Sequence, residues 1–165
     1  IRGLLLDRSH DPAPLTELFL LAAARHEHVR RTIAPALERG EVVLCDRFTD
    51  SSVVYQGAVG GVGQEVVEEL NRLATGGLEP DLTLVLDLDP DEARARLEGR
   101  TAEIASRLDV KPAAFHLGIR QGYLAAAGRH PHRMRLVDGA GDAGEVFERI
   151  LDELPPQLGG DDGRG

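Results

Sequence analysis

Two short apolar runs constrain the fold more than any other feature of this sequence. Val42 to Cys45 is an unbroken apolar run followed at once by Asp46, and Leu82 to Leu88 is a longer, mostly apolar run that contains Thr83 and Asp87. Short apolar runs of this kind are typical of strands that are buried on both faces of a parallel sheet. We therefore predict two buried parallel strands, the first of which delivers polar residues at its carboxyl end.

Helical patterns separate and follow these strands. Apolar residues at spacings of three or four predict a long helix over residues 15–39, kinked or restarted at Pro35 and ending at Gly40. Similar helical signals predict further helices over 64–74, about 90–100, 112–127 and 143–154. A last strand is predicted over 135–137. Strands that alternate with helices indicate an α/β fold with a mostly parallel sheet, whose ligands bind beyond the carboxyl ends of the strands.

Length and charge narrow the class of protein. The 165 residues suit one domain, which we place at residues 1–154, before a Gly-, Asp- and Pro-rich tail at 155–165 that we expect to be disordered. A net charge of -9 argues against binding to duplex nucleic acid. No apolar stretch approaches the roughly 20 residues that a bilayer requires. The single cysteine, Cys45, suits a reducing cytoplasm and is expected to be a small buried apolar residue.

Residues 46–57 concentrate directional side chains directly after the first predicted strand. They include an acid, an arginine, several hydroxyl groups, a phenol and an amide. An arginine can donate two hydrogen bonds to a phosphate, and a nearby carboxylate can hold a hydrated magnesium ion or orient that arginine. Taken alone, the pattern fits a binding site and a capped turn about equally well.

The same segment closely resembles the Asp-Arg motif and the following Ser-x-x-Tyr-Gln-Gly stretch of bacterial thymidylate kinases. The similarity extends through residues 17–29, 35–37, 71–83, 107–109, 115–116, 122–124 and 137–139. It implies a parallel sheet of the P-loop kinase type, flanked by helices. It also implies a cytoplasmic, homodimeric nucleoside monophosphate kinase that moves the γ-phosphoryl group of ATP to dTMP with the help of Mg²⁺, and it implies no nucleic-acid or membrane partner.

The resemblance also implies roles for residues near the phosphates. Arg47 would hold the phosphate of dTMP, and Asp46 would organise the magnesium and phosphate region. Arg96, Arg100 and Arg107 would belong to a lid that closes over the transferring group, with Arg107 acting in catalysis. From the residues alone, Arg96 and Arg100 could equally form surface ion pairs on an acid-rich helix.

A second set of implied roles concerns the nucleoside. Arg25 would reach the thymine base, Ser52 and Gln56 would lie close to it, and Tyr55 would pack under the deoxyribose. Leu21 stands where the family usually has a phenylalanine that stacks on thymine. Without the resemblance, Arg25 would be taken for a solvated helix arginine. We assign no histidine to a metal, and we expect Tyr123 and Phe115 to pack on a helix face.

The sequence departs from the family pattern in one large respect. It contains no Gly-x-x-x-x-Gly-Lys-Ser/Thr, the loop that cradles nucleotide phosphates in such kinases. We therefore expect the N-terminal strand and phosphate loop to be absent from this chain, and we expect the chain to be inactive by itself. Two alternatives stay open: a nucleoside monophosphate kinase with another base preference, and a catalytically dead module that binds nucleotide or dimerises.

Overall fold

A computed structural model describes residues 2–6, 10–98, 108, 111–156 and 158. Within these ranges the helices are α1 (Arg2–Leu6), α2 (Pro14–His28), α3 (Ala34–Glu38), α4 (Thr49–Ser52), α5 (Gln64–Thr75), α6 (Pro90–Glu98), α7 (Ala113–Arg129) and α8 (Ala143–Glu153). Two π-helical segments, Val29–Ile33 and Val53–Val59, continue α2 and α4. The strands are β1 (Thr83–Asp87) and β2 (Met134–Asp138).

The two strands form a parallel pair, as the alternation of apolar runs and helices predicts. Thr83 lies opposite Met134 and Asp87 opposite Asp138, and the connection between the strands contains α6 and α7. Ala126 and Ala127 of α7 pack on Met134 and Val85, while α8 also contacts β2. The α/β fold class is therefore confirmed, with both strand positions correct to within one residue.

The prediction of a buried strand at Val42 to Cys45 is wrong. Residues 41–45 have no regular structure, and the side chains of Val42 and Leu44 are 70% and 98% exposed. Cys45 is likewise only partly buried, with its Sγ 3.6 Å from the carbonyl oxygen of Arg47. A strand exists only where a neighbour completes its hydrogen bonds, and no described strand pairs with this run.

The long first helix is confirmed, but its apolar pattern describes only part of the buried face. Leu18, Ala22, Val29 and Ile33 are buried, whereas Leu15, His26 and Leu37 are exposed. The predicted irregularity near Pro35 is the π-helical segment Val29–Ile33, which directly precedes α3. A proline lacks an N–H and its ring crowds the carbonyl four residues earlier, so the preceding turn widens.

Helix ends follow their local signals closely. Asp89 caps α6 by accepting a hydrogen bond from the Asp91 N–H at 2.9 Å, and Gly76, with a φ of +66°, ends α5. The start of α8 carries a capping box between Asp142 and Glu145 that the sequence analysis did not single out. The predicted continuation of α6 to residue 100 lies outside the described residues, as does most of the predicted tail.

One core cluster prepares the site by joining three segments of the chain. Leu18 of α2, Val53 of the second π-helical segment and Val67 of α5 are buried together, and Val62 and Leu70 pack against them. The sequence of α5 predicts one apolar side made of Val66, Val67, Leu70 and Leu73, but this prediction is only half correct, because Val66 and Leu73 are exposed. The cluster fixes residues 49–59 against α2 and α5.

Candidate functional site

The polar segment after residue 45 is helical, which the sequence analysis did not predict. After Asp46 and Arg47 the chain forms α4, which begins at Thr49, and it continues as the π-helical segment Val53–Val59. Val54 is fully buried against α7, where a Cβ on Gly122 would meet a Val54 methyl at 2.8 Å. Gly122 therefore permits the close approach of α7 to this segment. π-Helical turns occur often at functional sites.

Arg47 combines an unusual backbone with an available side chain. Its φ is +63°, the one positive value at a non-glycine residue in the described part of the chain. Its guanidinium lies 5.0 Å from the centre of the Tyr55 ring, and both Arg47 and Asp46 are exposed. A left-handed backbone costs a non-glycine residue on the order of 1 kcal/mol, so an arginine here indicates a role for its side chain.

Aromatic side chains from α7 complete a wall around Tyr55. Phe115 and Tyr123 meet the Tyr55 ring edge-on, with ring centres 6.1 and 6.4 Å away. The Tyr123 hydroxyl lies 2.8 Å from Ser51 Oγ, and burial raises the pKa of this phenol although the Ser51 hydrogen bond opposes the rise. The expectation of helix packing is confirmed for Phe115 and Tyr123, but the face on which they pack belongs to the site.

Arg25 lies in the same site and is not a solvated helix arginine. Its Nη1 donates to Asn71 Oδ1 at 2.7 Å, and its Nη2 donates to Ser52 Oγ at 2.9 Å and to the Phe48 carbonyl at 3.0 Å. Burial lowers the pKa of Arg25, while the charge of the Asp50 carboxylate opposes the shift. The surface alternative for this residue is therefore wrong.

Gln56 brings a buried amide to the site. Its side chain is 5% exposed, and Nε2 donates to Oε2 of the buried Glu17 at 3.1 Å. Oε1 accepts no hydrogen bond from any residue that the structure describes. A buried acceptor without a donor costs about 1–3 kcal/mol, so the arrangement favours a ligand or water that donates there.

Asp50 anchors the segment to the sheet, a role that the sequence analysis missed. Its two carboxylate oxygens accept from Arg133 at 2.8 and 2.9 Å, and one also accepts from Thr83 Oγ1 at 2.9 Å. Burial alone would raise the pKa of Asp50, but the hydrogen bonds and charge of Arg133 outweigh it and hold that pKa below its usual value. The Asp-x-x-x-Asp spacing after the predicted strand was the only local signal.

A cavity of about 470 Å³ lies beside this anchor. Thr49, Asp50, Asn71 and Arg133 are among its lining residues, and several glutamates of α5 form part of its rim. Arg47 and the predicted nucleoside-contacting residues do not line it. Arg25, Arg47 and Tyr55 therefore do not form this cavity.

Comparison with known proteins identifies the family of this chain. The family model described as thymidylate kinase matches residues 1–150. The chain is 46% identical to the thymidylate kinase of Symbiobacterium thermophilum over 95% of this chain and 74% of that protein. It is 48% identical to the thymidylate kinase of Desulfosudis oleivorans over 93% of this chain and 75% of that protein. The chain belongs to the thymidylate kinase family.

A crystal structure from the thymidylate kinase family has the same fold. The thymidylate kinase from Ehrlichia chaffeensis superposes with a TM-score of 0.67 at 27% identity, over 88% of this chain and 67% of that one. The P-loop kinase type of fold, expected from the resemblance, is therefore confirmed. No helix in the described ranges is long and apolar enough to cross a membrane.

Of the three residues assigned to the lid, Arg96 lies within the described residues. Arg96 on α6 forms an exposed ion pair with Glu92 at 2.6 Å and donates to the carbonyl oxygens of Gly139 and Gly141 at 3.2 and 3.0 Å. It thereby connects α6 to the loop that follows β2. Arg100 and Arg107 lie outside the described residues.

Proposed function

We propose that this protein transfers the γ-phosphoryl group of ATP to dTMP and gives dTDP. Membership of the thymidylate kinase family supports the reaction. The observation that carries the assignment of the acceptor site is the convergence of Arg25, Arg47 and Tyr55 on one helical segment. Phosphoryl transfer depends chiefly on positioning and on cationic stabilisation of the transferring group, and this site offers both.

The phosphate end of the acceptor lies at Arg47. Its guanidinium, which lies against the Tyr55 ring, can donate two hydrogen bonds to the dTMP phosphate, with that ring against the deoxyribose. The aromatic wall of Phe115 and Tyr123 limits the movement of Tyr55. A rigid wall at the sugar supports discrimination against a bulkier ribose.

The base end lies between Arg25 and Gln56. Thymine presents a carbonyl oxygen at position 4 and an N–H at position 3. Arg25 and Ser52 supply donors, and the unpaired Oε1 of Gln56 supplies an acceptor that matches the N–H. Leu21 is partly exposed on α2, where it offers an apolar contact in place of an aromatic platform.

Mg²⁺ and ATP are the expected cofactor and phosphate donor. Asp46 is the carboxylate next to the phosphate-binding arginine, and the described residues contain no cluster of three or more His, Cys, Asp or Glu side chains that could hold a metal. One carboxylate with water and substrate phosphates is a usual set of Mg²⁺ ligands, so Asp46 fits. The ion would neutralise charge on the phosphates. Arg96, Arg100 and Arg107 are proposed to close over the transferring group.

We expect a cytoplasmic homodimer that binds neither nucleic acid nor membranes. Leu15 and Phe19 of α2 are 45% and 56% exposed, which supports an interface through this helix.

Initial rates on thymidylate, uridylate and cytidylate test the proposal. They are measured with a protein in which this chain is joined to an N-terminal strand and phosphate loop, called the full-length protein below. Thymidylate should be phosphorylated fastest, because among the three it alone combines a 5-methyl group, a 4-carbonyl and a sugar without a 2′-hydroxyl. Equal or reversed rates would favour the second candidate, a kinase with another base preference, which the absence of an aromatic residue at Leu21 supports. No turnover on any of the three would favour a catalytically dead module.

A further inference from the structure

We propose that Asn71 is a positioning residue for base selection, because it fixes the guanidinium of Arg25 in the orientation that faces the pyrimidine. The inference rests on the proposed function, in which Arg25 reads the base. Asn71 belongs to α5 and was not among the residues that the sequence analysis assigned to the site.

Asn71 uses both ends of its amide. The side chain is 4% exposed, Oδ1 accepts from Arg25 Nη1 at 2.7 Å, and Nδ2 donates to the Thr49 carbonyl at 3.1 Å. A flipped amide would set donor against donor at Arg25 and acceptor against acceptor at Thr49. The orientation of the amide is therefore determined. It places Oδ1 toward Arg25 and so fixes the position of Nη1 of the guanidinium.

The other partners of Arg25 complete a frame around its guanidinium. Nη2 donates to both Ser52 Oγ and the Phe48 carbonyl, and the guanidinium carbon lies 5.6 Å from the centre of the Phe48 ring. Within the part of the chain that the structure describes, Nε–H and the second Nη1–H make no hydrogen bond. Because both Nη2 hydrogens already make hydrogen bonds, the guanidinium can offer a ligand only separate N–H donors. It has no free pair of adjacent N–H groups for a bidentate contact.

A single oriented donor suits one pyrimidine better than another. It matches the lone carbonyl oxygen at position 4 of thymine, whereas cytosine has an amino group there that would face the cationic donor. Phe48 and Ser52 both belong to residues 46–59, the segment that carries the site. Asn71 is the partner that comes from a different helix, so it ties Arg25 to the rigid core around Val67.

The acceptor oxygen of Asn71 is the feature that the positioning role requires. An aspartate at this position could still accept from Nη1, but it could not donate to the Thr49 carbonyl. Asn71→Asp should therefore keep the orientation of Arg25 while lowering stability, and Asn71→Leu should lose the orientation.

The test measures kcat/KM for dTMP and for dCMP, with the full-length enzyme. In Asn71→Leu we expect the dTMP/dCMP preference to fall by about tenfold or more, mainly through a higher KM for dTMP. In Asn71→Asp the preference should stay within about threefold of the parent. Val137→Ala is the matched control, because it removes buried volume from β2, outside the core cluster that holds the site; it should lower Tm and leave the preference unchanged. If Asn71→Leu does not fold, Asn71→Ser replaces it with the same expectation.

Two results would overturn the positioning role. One is a preference in Asn71→Leu equal to that of Val137→Ala, and the other is a loss of preference in Asn71→Asp as large as in Asn71→Leu. Arg25→Ala separates this inference from the proposed function. If Arg25→Ala keeps the preference, Arg25 does not read the base and the proposed site is wrong. If Arg25→Ala loses the preference while Asn71→Leu keeps it, only the role of Asn71 is wrong.

Discussion

Two neighbouring apolar stretches of this chain have opposite fates. Val53 and Val54 are buried between α2, α5 and α7, whereas Val42 and Leu44, about ten residues earlier, are 70% and 98% exposed. Their residue types are similar, so composition does not explain the difference. The later stretch meets three helices, and the earlier one meets no described strand. An apolar pattern states which side chains gain from burial, but burial itself requires a partner surface.

The two stretches also differ in how polar groups are held. Around the buried stretch, Arg25, Asp50 and Ser51 each bond to a side chain from another part of the chain. The exposed stretch has Cys45 Sγ, which makes only a weak local contact. Substitutions in the two regions should therefore have very different consequences.

The largest effect is expected at the junction between the two stretches, in Arg47→Gly. Loss of a charge-assisted phosphate contact should lower kcat/KM for dTMP by roughly 30- to 1000-fold. Because glycine accepts the φ of +63° without strain, the free energy of unfolding should stay the same or rise by up to about 1 kcal/mol. Steady-state kinetics and thermal melts measure the two effects.

The matched control for this variant is Arg39→Ala, which removes an exposed arginine paired only with Glu41. Its activity should equal that of the parent. Activity retained within about twofold in Arg47→Gly, together with a lower Tm, would mean that Arg47 supports the turn and does not bind phosphate.

The next effect concerns Asp50→Asn, which breaks the anchor between the site segment and the sheet. The side chains of Arg133 and Asp50 are only 12% and 11% exposed, so the substitution leaves a largely buried charge without its partner. We expect a loss of about 3 kcal/mol in the free energy of unfolding, measured by denaturant titration. Glu69→Gln, which breaks an exposed pair with Arg72, should change stability little. Equal effects in the two variants would refute the anchoring role.

Acid pH should reproduce the loss of the Asp50 anchor in the parent protein. The pKa of Asp50 is lower in the folded state than the ordinary aspartate value of about 3.9. The contribution of Asp50 to the free energy of unfolding is therefore fully present above a pH of about 4. It is lost as the pH falls through the pKa that Asp50 has in the folded state. The stability difference between the parent and Asp50→Asn should shrink in that window. A constant difference down to strongly acidic pH would show that the Asp50 carboxylate does not stabilise the fold.

The smallest effect is expected in the exposed stretch, for Leu44→Ser in the chain of 165 residues. With 98% of this side chain exposed, the free energy of unfolding should change by no more than about 0.5 kcal/mol. Val54→Ala, in the fully buried counterpart, should cost about 2 kcal/mol in the same denaturant titration. A loss in Leu44→Ser as large as in Val54→Ala would show that residues 41–45 are buried in the folded protein.

Local signals explain why much of the fold was predictable. Strand β1 follows from the mostly apolar run over 82–88, and α5, α6 and α8 begin or end at residues with strong capping preferences. The helical structure of residues 49–59 could not be predicted in this way. Hydroxyl and β-branched residues have low helix propensity, and here burial against α2, α5 and α7 overrides that preference.

The sequence by itself determined the family, the parallel strand pair and the identity of the polar residues after Cys45, because those properties reside in local order and spacing. The tertiary structure decided which donor met which acceptor. Arg25 and Asn71 are 46 residues apart, and Asp50 and Arg133 are 83 apart. A hydrogen bond acts only over about 3 Å, so its partners are set by how the chain packs and not by their distance along it.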